Sequence, residues 1–168
     1  MSELKKNIVL IGMPACGKST IGVQLAKWLS MGFIDTDLLV QARAGGSMQA
    51  FQDANGMDAY QTLECDTVKS VVCENCVIAT GGSAVYCDGA MNHLKNIAKI
   101  IFLNVPIEEI KQRIGDTSRR GVVIKPGMTL DDLYVERHPL YLEYADVVID
   151  CAGKPQDQLL KEVIQLVD

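Results

Sequence analysis

Apolar and polar positions along this chain follow two rhythms. Short, mainly apolar runs recur within residues 7–11, 32–35, 76–79, 97–104 and 147–150. Each is bounded by polar or glycine residues, which predicts a short strand buried on both faces. Between the runs, apolar residues fall at helical spacing. Ile21, Leu25, Trp28 and Leu29 predict a core-facing helix over 19–31. A helix over 38–44 stops at Gly45-Gly46, and Ser47 caps another through about Asn55, which Gly56 punctuates. A longer helix follows over 57–72, with Tyr60, Leu63, Val68 and Val71 inward, and a weak one over 89–96. Pro106 starts a helix carrying Ile107, Ile110 and Ile114, at a position where its missing N–H costs nothing. Thr129-Leu-Asp-Asp132 has capping-box spacing and opens a helix through about Tyr144, and a closing amphipathic helix spans 156–167.

Strands that alternate with helices imply a parallel sheet covered on both faces, because parallel strands need crossover connections. A ligand then lies beyond the carboxyl ends of the strands. The exits of the first three strands and the residues after Asn104 all gather there.

The first of these exits is the most informative. Gly12-Met13-Pro14-Ala15-Cys16-Gly17-Lys18-Ser19-Thr20 matches the phosphate-binding loop G-x-x-x-x-G-K-[ST] without a mismatch, with strand before it and helix after it. Gly12 and Gly17 let backbone N–H groups, including those of Ala15 and Cys16, turn inward around phosphate oxygens. The helix start adds its positive dipole end, Lys18 reaches the terminal phosphates, and Ser19 offers a hydroxyl to Mg²⁺.

Phosphoryl transfer asks further for a carboxylate near the acceptor hydroxyl and for arginines over the transferring group. Asp35 and Asp37, one residue apart at the exit of the second strand, can face the metal and the acceptor respectively. Residues 115–128 carry glycines, Pro126, Arg119 and Arg120 with little apolar periodicity, and read as a lid whose arginines fold onto phosphates.

Composition narrows the setting. A chain of 168 residues with 48% hydrophobic and 22% charged residues is most simply one globular domain. A net charge of −5, without a basic run, argues against nucleic acid and anionic membranes as partners. No apolar segment approaches the roughly 18 residues a bilayer requires, and the N-terminus lacks a signal-peptide core. A cytoplasmic protein is expected, by default a monomer. Six cysteines (Cys16, Cys65, Cys73, Cys76, Cys87 and Cys151) then read as reduced thiols, and Cys73-Glu-Asn-Cys76 as a turn between helix and strand. Cys16 lies beside a helix N-terminus and Lys18, where its oxidation or alkylation would block nucleotide binding.

Four motifs in order carry a resemblance to a known family: the phosphate loop, Phe33-Ile-Asp-Thr-Asp37, Ile78-Ala-Thr-Gly-Gly-Ser-Ala-Val85 and Glu136-Arg-His-Pro-Leu-Tyr141. Together, over about residues 5–167, they resemble shikimate kinase, a small P-loop kinase of the nucleoside-monophosphate-kinase-like group. The resemblance implies a three-layer α/β/α sandwich with a five-stranded parallel sheet, a mobile lid, Mg²⁺–ATP, and transfer of the γ-phosphate to a ring hydroxyl. By position it implies Lys18 on the phosphates, Ser19 on Mg²⁺ with Asp35 assisting through water, and Asp37 on the acceptor hydroxyls as base or orienter. Gly81 and Gly82 would approach the acceptor through their backbone, the lid arginine would be Arg119 or Arg120, and Arg137 would meet the acceptor carboxylate. Thr20, Arg113 and Lys154 fall on the nucleotide side. The acceptor-binding segment would be about 36–64.

The departures lie around the acceptor. Where the family has an arginine gripping the carboxylate, this chain has Gln61, within Tyr60-Gln-Thr-Leu-Glu64. Ser83 replaces the third glycine of the glycine turn, and Gly121 follows Arg120 where the family usually has Pro-Leu-Leu. From Gly32 to Cys76 the only basic residues are Arg43 and Lys69. The reading is therefore a shikimate kinase. The alternatives are a kinase of the same fold for another polyol or hydroxy acid, and a non-catalytic nucleotide sensor.

Overall fold

β1 (Asn7–Ile11) is buried at every position and hydrogen-bonds to parallel neighbours on both sides. It is the centre of the sheet. The computed structural model describes residues 7–115 and 124–168. Among these, β1 is joined by β2 (Gly32–Asp35), β3 (Cys76–Ala79), β4 (Ala98–Asn104) and β5 (Val147–Asp150) in the order β2-β3-β1-β4-β5, all parallel. The chain fills one side of β1 first, β2 at the edge and then β3 between them, and afterwards the other side with β4 and β5, so the switch of direction lies at the carboxyl end of β1, where a crevice opens.

α1 (Lys18–Leu29) follows β1 and packs on β3 and on α8 (Gln156–Val167). Its inward face differs from the expectation in one place, because Trp28 is 69% exposed. The helix is rolled toward its small residues. A Cβ at Gly22 would lie 2.8 Å from the Phe33 ring, so the ring fills the space a side chain would need. The buried stripe becomes Ile21, Gly22, Leu25 and Ala26, and Trp28 falls to its edge beside Lys27 and Leu160.

α2 (Thr36–Ala44), α3 (Met48–Asn55) and α4 (Met57–Lys69) form a cap with a small core of their own, Val40, Met48 and Tyr60, against which Phe51, Met57 and Leu63 pack. This is the segment expected to cover the acceptor. α2 begins two residues earlier than its apolar spacing suggests, because Asp35 N-caps it by accepting from the Asp37 N–H.

A single 3₁₀ turn (Ala84–Tyr86) leads into α5 (Asp88–Ile97), and α6 (Ile107–Ile114) follows β4. α7 (Leu130–Tyr144) carries the expected capping box: Thr129 Oγ1 accepts from the Asp132 N–H at 3.1 Å, and Asp132 Oδ2 accepts from the Thr129 N–H at 2.9 Å. None of the described helices is long and apolar enough to cross a membrane.

The expectation of six reduced thiols is corrected, since Cys65 on α4 and Cys87 at the start of α5 are disulfide-bonded. The two helices pack together and bring the Cα atoms to 5.8 Å, a span a disulfide bridges readily. Nothing local pairs residues 22 apart. Cys73 and Cys76 stay free, in a turn that Asn7 stitches from the neighbouring strand by donating to the Cys73 carbonyl and accepting from the Cys76 N–H.

Candidate active site

The phosphate loop is held by what lies beneath it. Gly12 has φ 150°, and a Cβ there would sit 2.9 Å from the Leu103 carbonyl oxygen and 2.8 Å from Cys16 Sγ. Only glycine fits. Ala15 at φ 62° and Gly17 at φ 100° continue the left-handed turns that lead into the start of α1, and within them the Cys16 N–H donates to the Met13 carbonyl at 3.2 Å. Lys18 is nearly buried, and its ammonium donates to the carbonyls of Gly12 and Met13 at 2.8 Å each.

The same packing corrects the reading of Cys16. Its thiol is buried under the loop and faces the core. At 1% exposure the thiol is shielded in the folded chain, which disfavours the expected oxidation or alkylation there.

At the mouth of the loop, Ser19 Oγ donates to Asp35 Oδ2 at 2.7 Å. Asp35 thus serves two ends, a helix cap through one oxygen and the Ser19 hydroxyl through the other. Asp37 projects from the first turn of α2 into the same cavity as Lys18. Burial raises its carboxyl above the ordinary range, Lys18 pulls it back, and Asp35 adds to the rise.

That cavity has a volume of about 360 Å³ and joins the two halves of the predicted constellation. Pro14, Ala15, Gly17, Lys18, Ser19 and Thr20 line one end, and Asp37, Glu64, Gly82, Ser83 and Arg137 the other. Arg137 is 1% exposed, donates through Nε to the Tyr86 hydroxyl at 3.1 Å, and lies over the Tyr86 ring at 5.1 Å. Gly82 is pinned between this guanidinium and Pro14, each 3.0 Å from where its Cβ would stand, and its carbonyl accepts from Tyr141 at 2.7 Å. Gly81 differs from the expectation of a backbone contact to the acceptor. Its N–H donates to Thr36 Oγ1, and it lies beneath the Asp37 and Glu64 carboxylates.

A second cavity of about 440 Å³ flanks the loop and brings Arg113 and Lys154 together with Ala15, Cys16 and Thr20. Arg113 pairs with Glu109, and Lys154 with Glu162. Arg119 and Arg120 lie outside the described residues. Gln61 is not brought to the main cavity. On α4, residues 60 and 64 stack four apart on the pocket face, and Gln61, a third of a turn round, lines a crevice with Tyr86, Lys125 and Glu136.

Sequence reasoning singled out neither Glu64 nor Tyr60 as site residues. Glu64 is 2% exposed, accepts from Ser83 Oγ at 2.5 Å, and its second oxygen has no hydrogen-bond partner. A carboxylate four residues after an aromatic on a pocket-covering helix was the available signal. Burial pushes its pKa up to about 7, against the Ser83 hydrogen bond, while Asp37 adds to the rise and Arg137 and Lys18 oppose it.

A folded-state pKa above the ordinary 4.5 makes the folded chain the better proton binder between the two values. Stability therefore falls as pH rises from 4.5 to about 7, and the full cost stands above that. Glu64→Gln accordingly raises the unfolding free energy by about 2–3 kcal/mol at pH 8 and by far less at pH 5. Denaturant melts at the two pH values check this, and an equal effect at both contradicts it.

The chain matches the family profile described as shikimate kinase over residues 14–168. It is 34% identical to the shikimate kinase of Pasteurella multocida over 168 residues, covering 98% of this chain and 96% of that one. Among solved structures, the shikimate kinase of Acinetobacter baumannii in complex with shikimate superposes with a TM-score of 0.85 at 29% identity, covering 96% of this chain and 92% of that one. The shikimate kinase of Aquifex aeolicus gives 0.81 at 31%, covering 95% and 94%.

Proposed function

The chain belongs to the shikimate kinase family, and from that premise we propose that it transfers the γ-phosphate of ATP to a ring hydroxyl of shikimate, giving shikimate 3-phosphate and ADP. The observation that carries this reading is the shared cavity, in which the phosphate loop and the Asp37, Glu64 and Arg137 cluster face one small volume. Neither a kinase for another polyol nor a non-catalytic sensor is favoured, because likeness to shikimate kinases runs along nearly the whole chain.

Each side chain has a part in the transfer. The loop amides and Lys18 hold the β- and γ-phosphates, and the flanking cavity of Arg113 and Lys154 takes the nucleoside end. Asp37 accepts the proton of the attacking hydroxyl and fixes its line of approach. Arg137, with no freedom to move away, pairs with the acceptor carboxylate, and Gly82 presents its backbone beside it. Arg119 or Arg120 neutralises charge on the group in flight. Ser19 and Asp35, hard oxygen donors whose side chains meet at 2.7 Å, would hold Mg²⁺. The ion, when bound, neutralises charge on the transferring phosphates. We place this chemistry in a monomer.

ADP release tests the reading: shikimate stimulates it, and a panel of cyclic polyols, sugar acids and hydroxy amino acids does not. ATP binding with no stimulation by shikimate overturns it.

The carboxylate contact is tested at two positions. Arg137→Gln raises KM for shikimate by about a hundredfold, because a buried charge-assisted pair is lost. Gln61→Ala changes it by less than about twofold, the value for a side chain that does not touch the ligand. Comparable losses at both positions would move the carboxylate site toward Gln61.

A further inference from the structure

Arg137 spans the wall between two openings. Its Nη1 stands 3.0 Å from where a Gly82 Cβ would lie, and both residues line the main cavity. Its Nε donates at 3.1 Å to the hydroxyl of Tyr86, which lines the crevice shared with Gln61 and Glu136 and not the cavity. The guanidinium carbon lies 5.1 Å from the centre of the Tyr86 ring, so one side chain holds the cation through its hydroxyl and through its π face. Tyr86 is itself fixed. It closes the 3₁₀ turn, its N–H donates to the Ser83 carbonyl at 3.1 Å, and the next residue, Cys87, is disulfide-bonded to Cys65 on α4. Its phenol also hydrogen-bonds Glu136, so it accepts from Arg137 and donates onward. Burial keeps the phenol protonated against the pull of Arg137, and Glu136 adds to this. Among the described residues that line the cavity, the only cations are Lys18 at the phosphate end and Arg137 at the acceptor end.

Resting on the phosphotransfer reading, we propose that Tyr86 is a positioning residue for the acceptor carboxylate: by occupying Nε of Arg137 it sets the guanidinium so that its Nη edge faces the cavity. A guanidinium is a planar fork with two edges that can meet a carboxylate in parallel N–H bonds, one made by the two Nη atoms and one that includes Nε. Tyr86 takes the second edge out of play. The first edge is then in place before the acceptor arrives, and binding has no long side chain left to order. An acceptor carboxylate that depends on one guanidinium depends equally on which edge is turned toward it. Without the phenol oxygen, a buried Nε loses its acceptor, and the cation swings to recover one. Its Nη edge then leaves its place beside Gly82.

The test is steady-state kinetics on the full chain, with shikimate and ATP varied separately. Tyr86→Phe keeps the ring and removes only the hydroxyl. It raises KM for shikimate about tenfold, as loss of one hydrogen bond to a charged group implies, while kcat changes by less than about twofold and KM for ATP stays as it was. Tyr86→Leu, which also removes the ring beneath the cation, raises KM for shikimate further. In an Arg137→Gln background Tyr86→Phe adds nothing, because the group it positions is gone. A tyrosine that only filled space would behave otherwise: its loss would shift KM for both substrates and would persist beside Arg137→Gln. An unchanged or lowered KM for shikimate in Tyr86→Phe, or an undiminished effect in the Arg137→Gln background, overturns the role of Tyr86. Absence of shikimate turnover in the unaltered chain overturns the phosphotransfer reading instead, so the two failures are told apart.

Discussion

Lys18→Met lowers kcat/KM by about a thousandfold or more, the largest loss expected from a single side chain here. The ammonium is nearly buried and fixed by two loop carbonyls, so its charge acts in a site from which most water is already excluded. Charge that develops on the transferring phosphate meets a cation already in place. Methionine keeps the length and apolar stem of the side chain, and the left-handed turns at Ala15 and Gly17 belong to the backbone and survive the change. The loss is therefore electrostatic. Shikimate binding measured without nucleotide stays within about twofold, because Asp37 and Arg137 are untouched. A variant that keeps a tenth of the activity would show that the loop amides alone neutralise the phosphates.

Asp37→Asn comes next, with kcat reduced by about a thousandfold and ATP affinity little changed. Asparagine is nearly isosteric, and the cap of α2 survives because it uses the Asp37 backbone N–H, so the fold around the pocket is kept. What disappears is an acceptor for the hydroxyl proton. Burial raises this carboxyl first of all, Lys18 opposes the rise and Asp35 adds to it. The group works ionised, so activity is lost as pH falls through its raised value. The sign for stability is opposite: a carboxyl raised in the folded state holds its proton longer there, and folding weakens as pH rises through the shifted range. Asp37→Asn removes that loss and is more stable than the parent at pH 8. Coupled ADP assays and denaturant melts check the two halves together. A variant that is inactive and also less stable at pH 8 would mean that Asp37 holds the fold rather than the reaction.

What could be read from the chain beforehand is what local chemistry determines. The loop from Gly12 to Thr20 is contiguous, and each residue's part follows from backbone freedom and helix geometry over nine positions. β1, β3 and β4 were legible because runs buried on both faces have a composition of their own, whereas the edge strands β2 and β5 are partly exposed, contrary to the expectation of burial on both faces. Thr129 to Asp132 announced a helix start because a capping box lies within four residues. Features set by docking were not legible. Gln61 stands next to a pocket residue in sequence but faces another crevice, since the roll of α4 is set by Tyr60 packing on Val40 and Met48. Trp28 lost its inward place to Gly22, whose partner is the Phe33 ring. Glu64 found its donor in Ser83, and Gly81 spent its N–H on Thr36 across 45 residues. Cys65 and Cys87 likewise met only through the packing of two helices. In each case the residue type was visible and its neighbour was not.

The reciprocal pair at Thr129 and Asp132 has an architectural consequence. It closes the first turn of α7 from within, so the helix that carries Arg137 and Tyr141 has its first N–H groups engaged by its own cap residues. Thr129→Ala frees that first turn and, through the helix, loosens the seat of the guanidinium over Tyr86.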